Sequence, residues 1–347
     1  MAHSYTLNYK PAETVLKYLD QAEKLGIKVI MYPFPGGLPR YRTAKPAISE
    51  KQWMQIHEYV AKISKHPALL AWYAYDEPRN PDWIAQLKIL FRKLHEWDPA
   101  HPVIGCDNTP GGCIALAEDT ADIIALDLYP NPRRDTDACE RPVINIFHGT
   151  KMMFQSIKRK SIWNIPQAFS HEEWNRNGYR SPTFPEIRCF TYSAIVAGVT
   201  GILPYKIGSN GKNKRGIFIS PDMRIGYLEG ICPEIATLSE VLLADETREI
   251  SVDNPDIKIM TKKFKGKTFL FAVNSSTRKQ GKVSFRTKSS SSQWSVLSEN
   301  RNVSLSNGTF TDAFDLDSVH IYTDDTAFHT WIDIVQLQKK IDLEKKK

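Results

Sequence analysis

The chain has 347 residues, which is long for one average domain, so a large domain with a smaller companion is expected. Hydrophobic residues make up 41% of it, with eight Trp, 14 Tyr and 15 Phe, enough to fill a large core and line a cleft. The net charge of +7 comes from dispersed residues and a lysine-rich tail rather than from a basic face interleaved with aromatics, so nucleic acid is not an expected partner.

Helix and strand patterns alternate six times between residues 12 and 243. The first helix is predicted over 12–25, where apolar residues recur at helical spacing and Gly26 follows as a stop signal. The six strands are predicted near 28–34, 68–76, 102–107, 121–128, 161–168 and 199–206, and the later helices near 49–64, 83–97, 143–158, 183–197 and 225–243. Such alternation indicates βαβ units around a parallel sheet. No glycine-rich nucleotide-binding motif follows the first strand, so a nucleotide-binding open sheet is not supported.

Polar and aromatic residues stand at the predicted C-terminal ends of five strands. They are Asp76, Glu77, Asp107, Asp127, Tyr129, Gln167 and Tyr205. Polar groups contributed by several strand ends are typical of an active site at the rim of a barrel. The predicted fold class is therefore α/β, a TIM-type (β/α) barrel.

The pattern changes after about residue 248. Short strands are predicted over 257–264, 268–274, 281–286, 293–297 and 319–323, with Gly, Ser, Asn and Lys between them. This predicts a small antiparallel β-sandwich. The expected organisation is a barrel over 1–247, a sandwich over 248–325, and a docked terminal helix with a basic tail over 326–347.

The five cysteines have neither a CxxC pair nor zinc-ligand spacing, and their odd number does not suit a disulfide framework. No metal-binding spacing such as HExxH occurs, so no metal and no cofactor are expected. No apolar run reaches 18 residues, so no membrane association is predicted. Residues 1–25 show no signal peptide, which leaves localisation open; the protein would be secreted or periplasmic if a leader had been removed.

The stretch HPALLAWYAYDEP, residues 66–78, is a run of apolar and aromatic residues that ends in two acids and a proline. Uncharged residues from Ala68 to Ala74 are typical of a strand buried on both faces, and Pro78 ends its ladder. This stretch resembles the fourth-strand motif of clan A (β/α)8 glycoside hydrolases. The resemblance covers residues 12–243. It implies hydrolysis of O-glycosidic bonds in a carbohydrate substrate, with Glu77 as the general acid/base.

The chain departs from that family's pattern in three places. Asp76 takes the position of an Asn that contacts the sugar 2-substituent. Gln167 stands at the end of the strand that in the family carries the nucleophilic Glu. Only six βα units are predicted, so the chain is expected to begin at the helix after the second strand. An N-terminal truncation, or completion of the barrel by another chain in an oligomer, would account for the missing units, because an open barrel exposes sheet edges.

Glycoside hydrolysis needs a second group across the sugar from the acid. Asp127, at the end of the strand predicted near 121–128, is one candidate, and Asp107, Glu172 and Glu173 are others. A different solution uses Asp76, because adjacent Asp and Glu resemble the N-acetyl-hexosaminidases, in which the acetamido group of the substrate attacks. A purely structural role for Glu77, paired with Arg79, is the alternative to all of these.

Aromatic rings at strand ends and in loops suit stacking on the apolar faces of sugars. Tyr75, Tyr129, Trp174 and Tyr205 are predicted for this role. Trp72, in mid-strand, is predicted to lie in the core. Asp107, Asn108 and Gln167 are predicted to hydrogen-bond substrate hydroxyls.

Three functions remain open on the sequence. The first is a glycosidase that uses Glu77, Asp76 and Asp127. The second is a barrel that binds carbohydrate without catalysis, since Gln167 replaces the usual nucleophile. The third is a different barrel enzyme that holds a divalent cation with Asp76, Asp107 and Asp127.

Overall fold

The computed structural model describes residues 2–3, 7, 10–35, 48–136 and 138–347. The chain divides into two compact units. The first unit comprises residues 1–127 and 152–164, and the second comprises 128–151 and 165–347. The predicted domain boundaries at 247 and 325 stay a prediction.

The first unit is built on an open sheet of parallel strands in chain order, the half-barrel that the alternation predicts. The strands are β1 (Ala2–His3), β2 (Val29–Met31), β3 (Leu69–Asp76), β4 (Val103–Asp107), β5 (Ile123–Leu126) and β6 (Ser161–Asn164). All but β1 lie where a strand was predicted. β1 pairs in parallel with β2 ahead of the first predicted helix, so the sheet has one more strand there than expected. Two residues are too few to show a periodic pattern.

Four helices of the first unit follow these strands: α1 (Ala12–Lys24), α2 (Glu50–Ile63), α3 (Pro81–Trp97) and α4 (Pro110–Thr120). Ser49 and Gln52 form a capping box that starts α2. Asn80 accepts hydrogen bonds from the backbone of Asp82 and Trp83, and Pro81 occupies the first helical turn, so α3 begins two residues before its prediction. The predicted helix near 143–158 is α5 (Ile144–Ser156).

Strand β3 carries an irregularity that decides which way its side chains point. Tyr73 pairs with Ile104 and Tyr75 with Gly105, so Ala74 is one residue more than β4 provides, as in a β-bulge. Trp72 Nε1 donates to Asp98 Oδ2 at 2.7 Å, and Tyr75 Oη lies 2.9 Å from Thr120 Oγ1. Residues three apart therefore point to the same helix-covered face, whereas a regular strand would send them to opposite faces.

Gly105 makes room for that arrangement. A Cβ added at this position would overlap the ring of Tyr75, which is 1% exposed. Trp72 is fully buried, as predicted. Tyr75 was predicted to contact substrate, but the structure places its ring in the buried layer beside Gly105.

In the part of the second unit after residue 165, the α-helices and strands begin with α6 (Phe184–Ala197) and β7 (Gly201–Ile202), followed by α7 (Pro221–Ile225), α8 (Cys232–Thr237) and α9 (Ser239–Leu243). The single helix predicted over 225–243 is therefore broken. Residues 226–231 form a π-helical turn, and α8 and α9 are separated at Leu238. The strand predicted over 199–206 is reduced to two residues, although Tyr205 still forms a parallel bridge with Gln167.

A β-sandwich completes the second unit. Its strands are β8 (Asp245–Thr247), β9 (Ser251–Val252), β10 (Ile257–Phe264), β11 (Lys267–Asn274), β12 (Gly281–Arg286), β13 (Gln293–Val296), β14 (Arg301–Ser304), β15 (Thr309–Phe314) and β16 (Val319–Thr323). They form a sheet in the order β14-β13-β16-β11-β10-β8 and a second sheet in the order β15-β12-β9. Phe285, Phe310, Trp294 and Tyr322 from both sheets share one buried cluster. All five predicted strands are confirmed, and β8, β9, β14 and β15 are additional.

The predicted terminal helix is α10 (Ile334–Lys345). Asp333 caps it by accepting from the backbone of Val335 and Gln336. Leu337 and Ile341 are buried in one cluster with residues of α6 and α7. Apolar packing of these two side chains therefore docks the helix on the second unit.

Candidate active site

The kink that ends β3 sets the position of the two acids of the motif. Glu77 has a φ of 46°, in the left-handed region that non-glycine residues rarely adopt. Its backbone N–H nevertheless donates to the carbonyl of Cys106 at 2.9 Å, which holds the chain against β4 through the kink. Asp76 and Glu77 both lie close enough to Asp127 for their charges to act on it. Successive residues of a regular strand face opposite sides, and the kink at Glu77 lets both acids act on Asp127.

Asp127, directly after β5, is the third carboxylate of this group. Its side chain is 5% exposed, and its Oδ1 has no hydrogen-bond partner among the residues that the structure describes. Burial, followed by the charges of Glu77 and Asp76, raises the pKa of Asp127 to about 8. Asp127 therefore carries a proton at neutral pH.

Asp107, at the end of β4, is fully engaged within the protein. It accepts from Thr109 N at 2.9 Å and Thr109 Oγ1 at 2.8 Å, and it forms an ion pair with Arg79. A Cβ at Gly112 would overlap its carboxylate, so the glycine allows the first turn of α4 to pass this close. These bonds give Asp107 a structural task at the rim.

Arg79 links that anchored acid to the motif. Its Nη1 donates to Asp107, and its Nη2 donates to Asn108 Oδ1 at 2.8 Å and lies 3.7 Å from Glu77 Oε2. The pairing with Glu77 was predicted only as an alternative to catalysis. The structure instead shows one guanidinium that orients three rim side chains at once.

The structure groups different candidate cation ligands from the predicted set of Asp76, Asp107 and Asp127. Asp76, Cys106 and Asp127 place one ligand atom each within 4.8 Å of one another, whereas Asp107 is occupied by Arg79 and Thr109. Burial raises the pKa of the Cys106 thiol well above its usual range, and Asp127 also holds a proton. A metal bound there would have to displace both protons, so its affinity would rise with pH.

Gln167, in the second unit, uses both ends of its side chain. Its Oε1 accepts from Asn131 N at 2.9 Å, and its Nε2 donates to the carbonyl of Phe169 at 3.1 Å. The residue is 1% exposed, and its own carbonyl accepts from Tyr227 Oη at 3.0 Å. The amide thus fastens two loops of the second unit to each other.

Three of the predicted sugar-stacking residues gather around Phe169 in the second unit. The ring centre of Phe169 lies 4.9 Å from Tyr129, 5.7 Å from Tyr205 and 5.2 Å from Trp174. Trp174 is 43% exposed and carries the Nζ of Lys206 at 4.7 Å from its ring centre. This cluster is an aromatic surface of the kind that sugar faces contact.

The loop acids proposed as second catalytic groups are paired within the second unit. Glu172 forms an ion pair with Arg134 and accepts from Ser170 Oγ at 3.0 Å. Glu173 accepts from Gly216 N at 2.7 Å and lies 2.9 Å from the Nζ of Lys206. Both carboxylates therefore stabilise the loops that carry them.

The structure thus divides the predicted site residues between two groups. Asp76, Glu77, Asp107, Asn108 and Asp127 come together in the first unit, and Tyr129, Gln167, Trp174 and Tyr205 in the second. Arg79 and Cys106 were not predicted as site residues. The position of Arg79, two residues after the acid, was the only sequence signal for either.

Within the described ranges, no helix has the length and apolar character needed to cross a bilayer.

Neither a protein-family model nor a curated protein sequence matches this chain. Solved structures do. A family 39 glycoside hydrolase from Bacteroides cellulosilyticus WH2 aligns over 92% of this chain and 74% of its own, with 14% identity and a TM-score of 0.57. An α-amylase from Geobacillus thermoleovorans, complexed with acarbose, aligns over 90% and 80%, with 11% identity and a TM-score of 0.56.

A family 30 subfamily 8 xylanase from Clostridium acetobutylicum aligns over 93% of this chain and 87% of its own, with 14% identity and a TM-score of 0.52. At such identities the likeness concerns the fold. The prediction of a TIM-type fold followed by a sandwich, similar to that of glycoside hydrolases, is confirmed.

Proposed function

We propose that the protein is a glycoside hydrolase that cleaves O-glycosidic bonds of an oligo- or polysaccharide, with Glu77 as its general acid/base. The observation that carries this proposal is the grouping of Asp76, Glu77 and Asp127 at the C-terminal ends of β3 and β5, the two strands that flank β4. Barrel enzymes carry their chemistry at this end of the sheet. The fold similarity to glycoside hydrolases supports the choice of substrate class.

In this proposal Glu77 gives its proton to the oxygen of the leaving sugar. Arg79, 3.7 Å from Glu77 Oε2, keeps that carboxyl group oriented toward the substrate. Orientation matters because proton transfer requires a heavy-atom distance of about 2.6–3.2 Å in the substrate complex. The left-handed φ of Glu77 supports this role, since strained backbone is often found at functional positions.

Asp127 is the proposed partner that binds the sugar as a neutral acid. Its Oδ1, which has no hydrogen-bond partner in the described part of the chain, and its raised pKa of about 8 suit a group that donates a hydrogen bond to substrate below that pH. A protonated Asp127 is a poor nucleophile. Asp76 beside it is therefore the proposed group that faces the anomeric centre or orients the 2-substituent.

Two versions of the mechanism follow from the second role of Asp76. In one, its carboxylate stabilises positive charge at the anomeric carbon as the bond to the leaving sugar breaks, and a water molecule then attacks that carbon and gives its proton to the Glu77 carboxylate. In the other, Asp76 orients the 2-acetamido group of the substrate, and that group attacks the anomeric carbon. Paired aryl glycosides that differ only at position 2, hydroxyl against acetamido, separate the two. Hydrolysis confined to 2-hydroxy sugars would eliminate the second version.

A second candidate is a barrel that binds carbohydrate without cleaving it. Gln167 favours this candidate, because a neutral amide cannot attack an anomeric carbon and both of its ends are bound within the protein. In a binding protein of this kind, Asp76, Glu77 and Asp127 would hydrogen-bond sugar hydroxyls.

A Glu77→Gln variant tests the choice, with exposed Glu96→Gln as the matched control. On a panel of aryl glycosides the wild type should hydrolyse at least one, and Glu77→Gln should lower kcat/KM by about 10²- to 10⁴-fold. The loss should shrink with dinitrophenyl leaving groups, which need no proton. Wild type and Glu77→Gln that are equally inactive but bind the same glycans would support the second candidate instead.

A further inference from the structure

The loop from Lys206 to Arg215 in the second unit is strongly basic. Its sequence, KIGSNGKNKR, holds four cations and no acid, and residues 207–215 are all exposed. Lys206 is paired with Glu173 at 2.9 Å. Among the residues that the structure describes, no carboxylate lies within 4.0 Å of Lys212, Lys214 or Arg215. Three cations are therefore presented to solvent on one short loop.

The base of this loop is fixed by hydrogen bonds. Arg215 N donates to Ser209 O at 2.9 Å, and Ile217 N donates to Lys206 O at 3.0 Å. Gly208 and Gly216 have φ values of 78° and 60°, and a Cβ at either would overlap backbone atoms of the loop. The loop thus has a defined base that holds its charges close together.

The same base adjoins an exposed aromatic surface. Gly216 N donates to Glu173 Oε1 at 2.7 Å, and the next residue after Glu173 is the half-exposed Trp174. Lys206 Nζ lies 4.7 Å from the centre of the Trp174 ring. An aromatic ring beside clustered cations can contact the apolar face of a sugar while the cations meet its anionic substituents.

We infer that the loop 206–215, together with Trp174, binds a glycan chain that carries carboxylate or sulfate groups. The charge of the loop selects an anionic ligand. The choice of a carbohydrate rather than a nucleic acid rests on the proposed function, since an aromatic ring beside cations also suits a nucleobase. A neutral polysaccharide would gain no attraction from the exposed cations of Lys212, Lys214 and Arg215.

Binding of fluorescently labelled dextran sulfate, alginate and neutral dextran tests the inference. Dextran sulfate supplies sulfates and alginate supplies carboxylates on comparable chains. We expect one or both to bind more tightly than dextran. The triple variant Lys212→Ala, Lys214→Ala and Arg215→Ala should weaken that binding about tenfold, the sum of three solvent-exposed ion pairs. The affinity should also fall as salt rises.

The matched control removes the same charge elsewhere. Lys282, Lys339 and Lys346 are exposed, and the triple variant that changes all three to Ala should leave glycan binding within about twofold, because these residues lie outside the loop. Equal losses of glycan affinity in the two triple variants would show that net charge alone causes the effect, and would overturn the inference. A labelled single-stranded oligonucleotide that binds as tightly as the glycans, with the same dependence on the loop, would overturn it too.

The test separates this inference from the proposed function. Glu77→Gln should retain wild-type binding of the anionic glycan, because it alters no group of the loop. Loop-dependent binding in a protein without glycosidase activity would refute only the proposed function. Activity on neutral glycans without any loop-dependent binding of charged ones would refute only the inference.

Discussion

Arg79 Nη2 lies 3.7 Å from Glu77 Oε2 while the same guanidinium is ion-paired with Asp107. Glu77 is thus linked through Arg79 to the carboxylate of Asp107, which is only 1% exposed. Because Asp107 also accepts from the backbone and the hydroxyl of Thr109, the residue that caps α4, its position is fixed at the start of that helix. The orientation of Glu77 is therefore fixed by residues at the strand ends of the sheet and does not depend on solvent.

Replacing Arg79 with Gln should lower activity more than substrate binding. The variant removes the group that orients Glu77, so kcat should fall about tenfold to a hundredfold with little change in KM. The lost charged hydrogen bonds to Asp107 should lower the free energy of unfolding by about 1–3 kcal/mol. Steady-state kinetics and urea unfolding measure the two effects. Arg92→Gln, on the outer helix α3, is the control, and a kcat equal to wild type would sink the positioning role.

Asp127 should make stability depend on pH in a characteristic direction. Its pKa is about 8 in the folded protein against 3.8 as the reference value, so the folded state binds more protons than the unfolded state between these values. Stability attributable to this group is therefore greatest at low pH and falls as pH rises toward 8, by at most about 1.4 kcal/mol per pH unit.

Asp127→Asn removes this dependence. Relative to wild type, the variant should gain stability steadily from pH 5 to pH 8 and no further above it. Urea unfolding at four pH values measures the difference, with the exposed Asp135→Asn as the control. A difference that does not change with pH would contradict the protonated state assigned to Asp127.

Tyr75 should matter for folding and not for substrate. Its hydroxyl bonds to Thr120 and its ring packs on Gly105. Tyr75→Phe should therefore lower the free energy of unfolding by about 1 kcal/mol and leave KM unchanged. Gly105→Ala should cost about 1–3 kcal/mol through overpacking. A raised KM in Tyr75→Phe at normal stability would restore the predicted sugar contact.

Gln167→Glu offers a test of the family comparison. The change restores the acid expected at this position, but it places a carboxylate oxygen against the carbonyl of Phe169, where Nε2 now donates. We expect a loss of about 1–3 kcal/mol in unfolding free energy and no gain in activity. Gln167→Met, which keeps the volume without the bonds, is the matched comparison. An increase in kcat in Gln167→Glu would show that a nucleophile fits there after all.

The order of elements follows from sequence because its signals are local. Apolar periodicity, Pro78 and the Asn80-Pro81 cap define β3 and α3 without reference to the rest of the chain. The rim acids can be predicted for the same reason, since each is the last residue of a buried strand or follows its end directly. The two-residue strands β1 and β9 cannot be predicted from local signals, because they form only through pairing with a neighbour.

The direction of individual side chains was harder to predict. Tyr75 is predicted to contact substrate because it lies near the end of its strand, but the extra residue Ala74 places its ring on the helix-covered face. The roles of Arg79 and Gln167 depend on partners 28 and 36 residues away in sequence. No spacing rule within one sequence identifies such partners, because they are set by how strands are placed side by side.

The unmatched Ala74 has a consequence for how this segment can change in evolution. Deleting Ala74 would restore simple alternation with Tyr75 still opposite Gly105 and Asp76 still opposite Cys106, so both side chains would keep their present faces. A second deletion between Trp72 and Tyr75 would instead turn Tyr75 toward the acids and Asp76 toward the helices. Relatives that share this chemistry should therefore either keep this segment at its present length or lack only the bulged residue, even where their sequences have diverged.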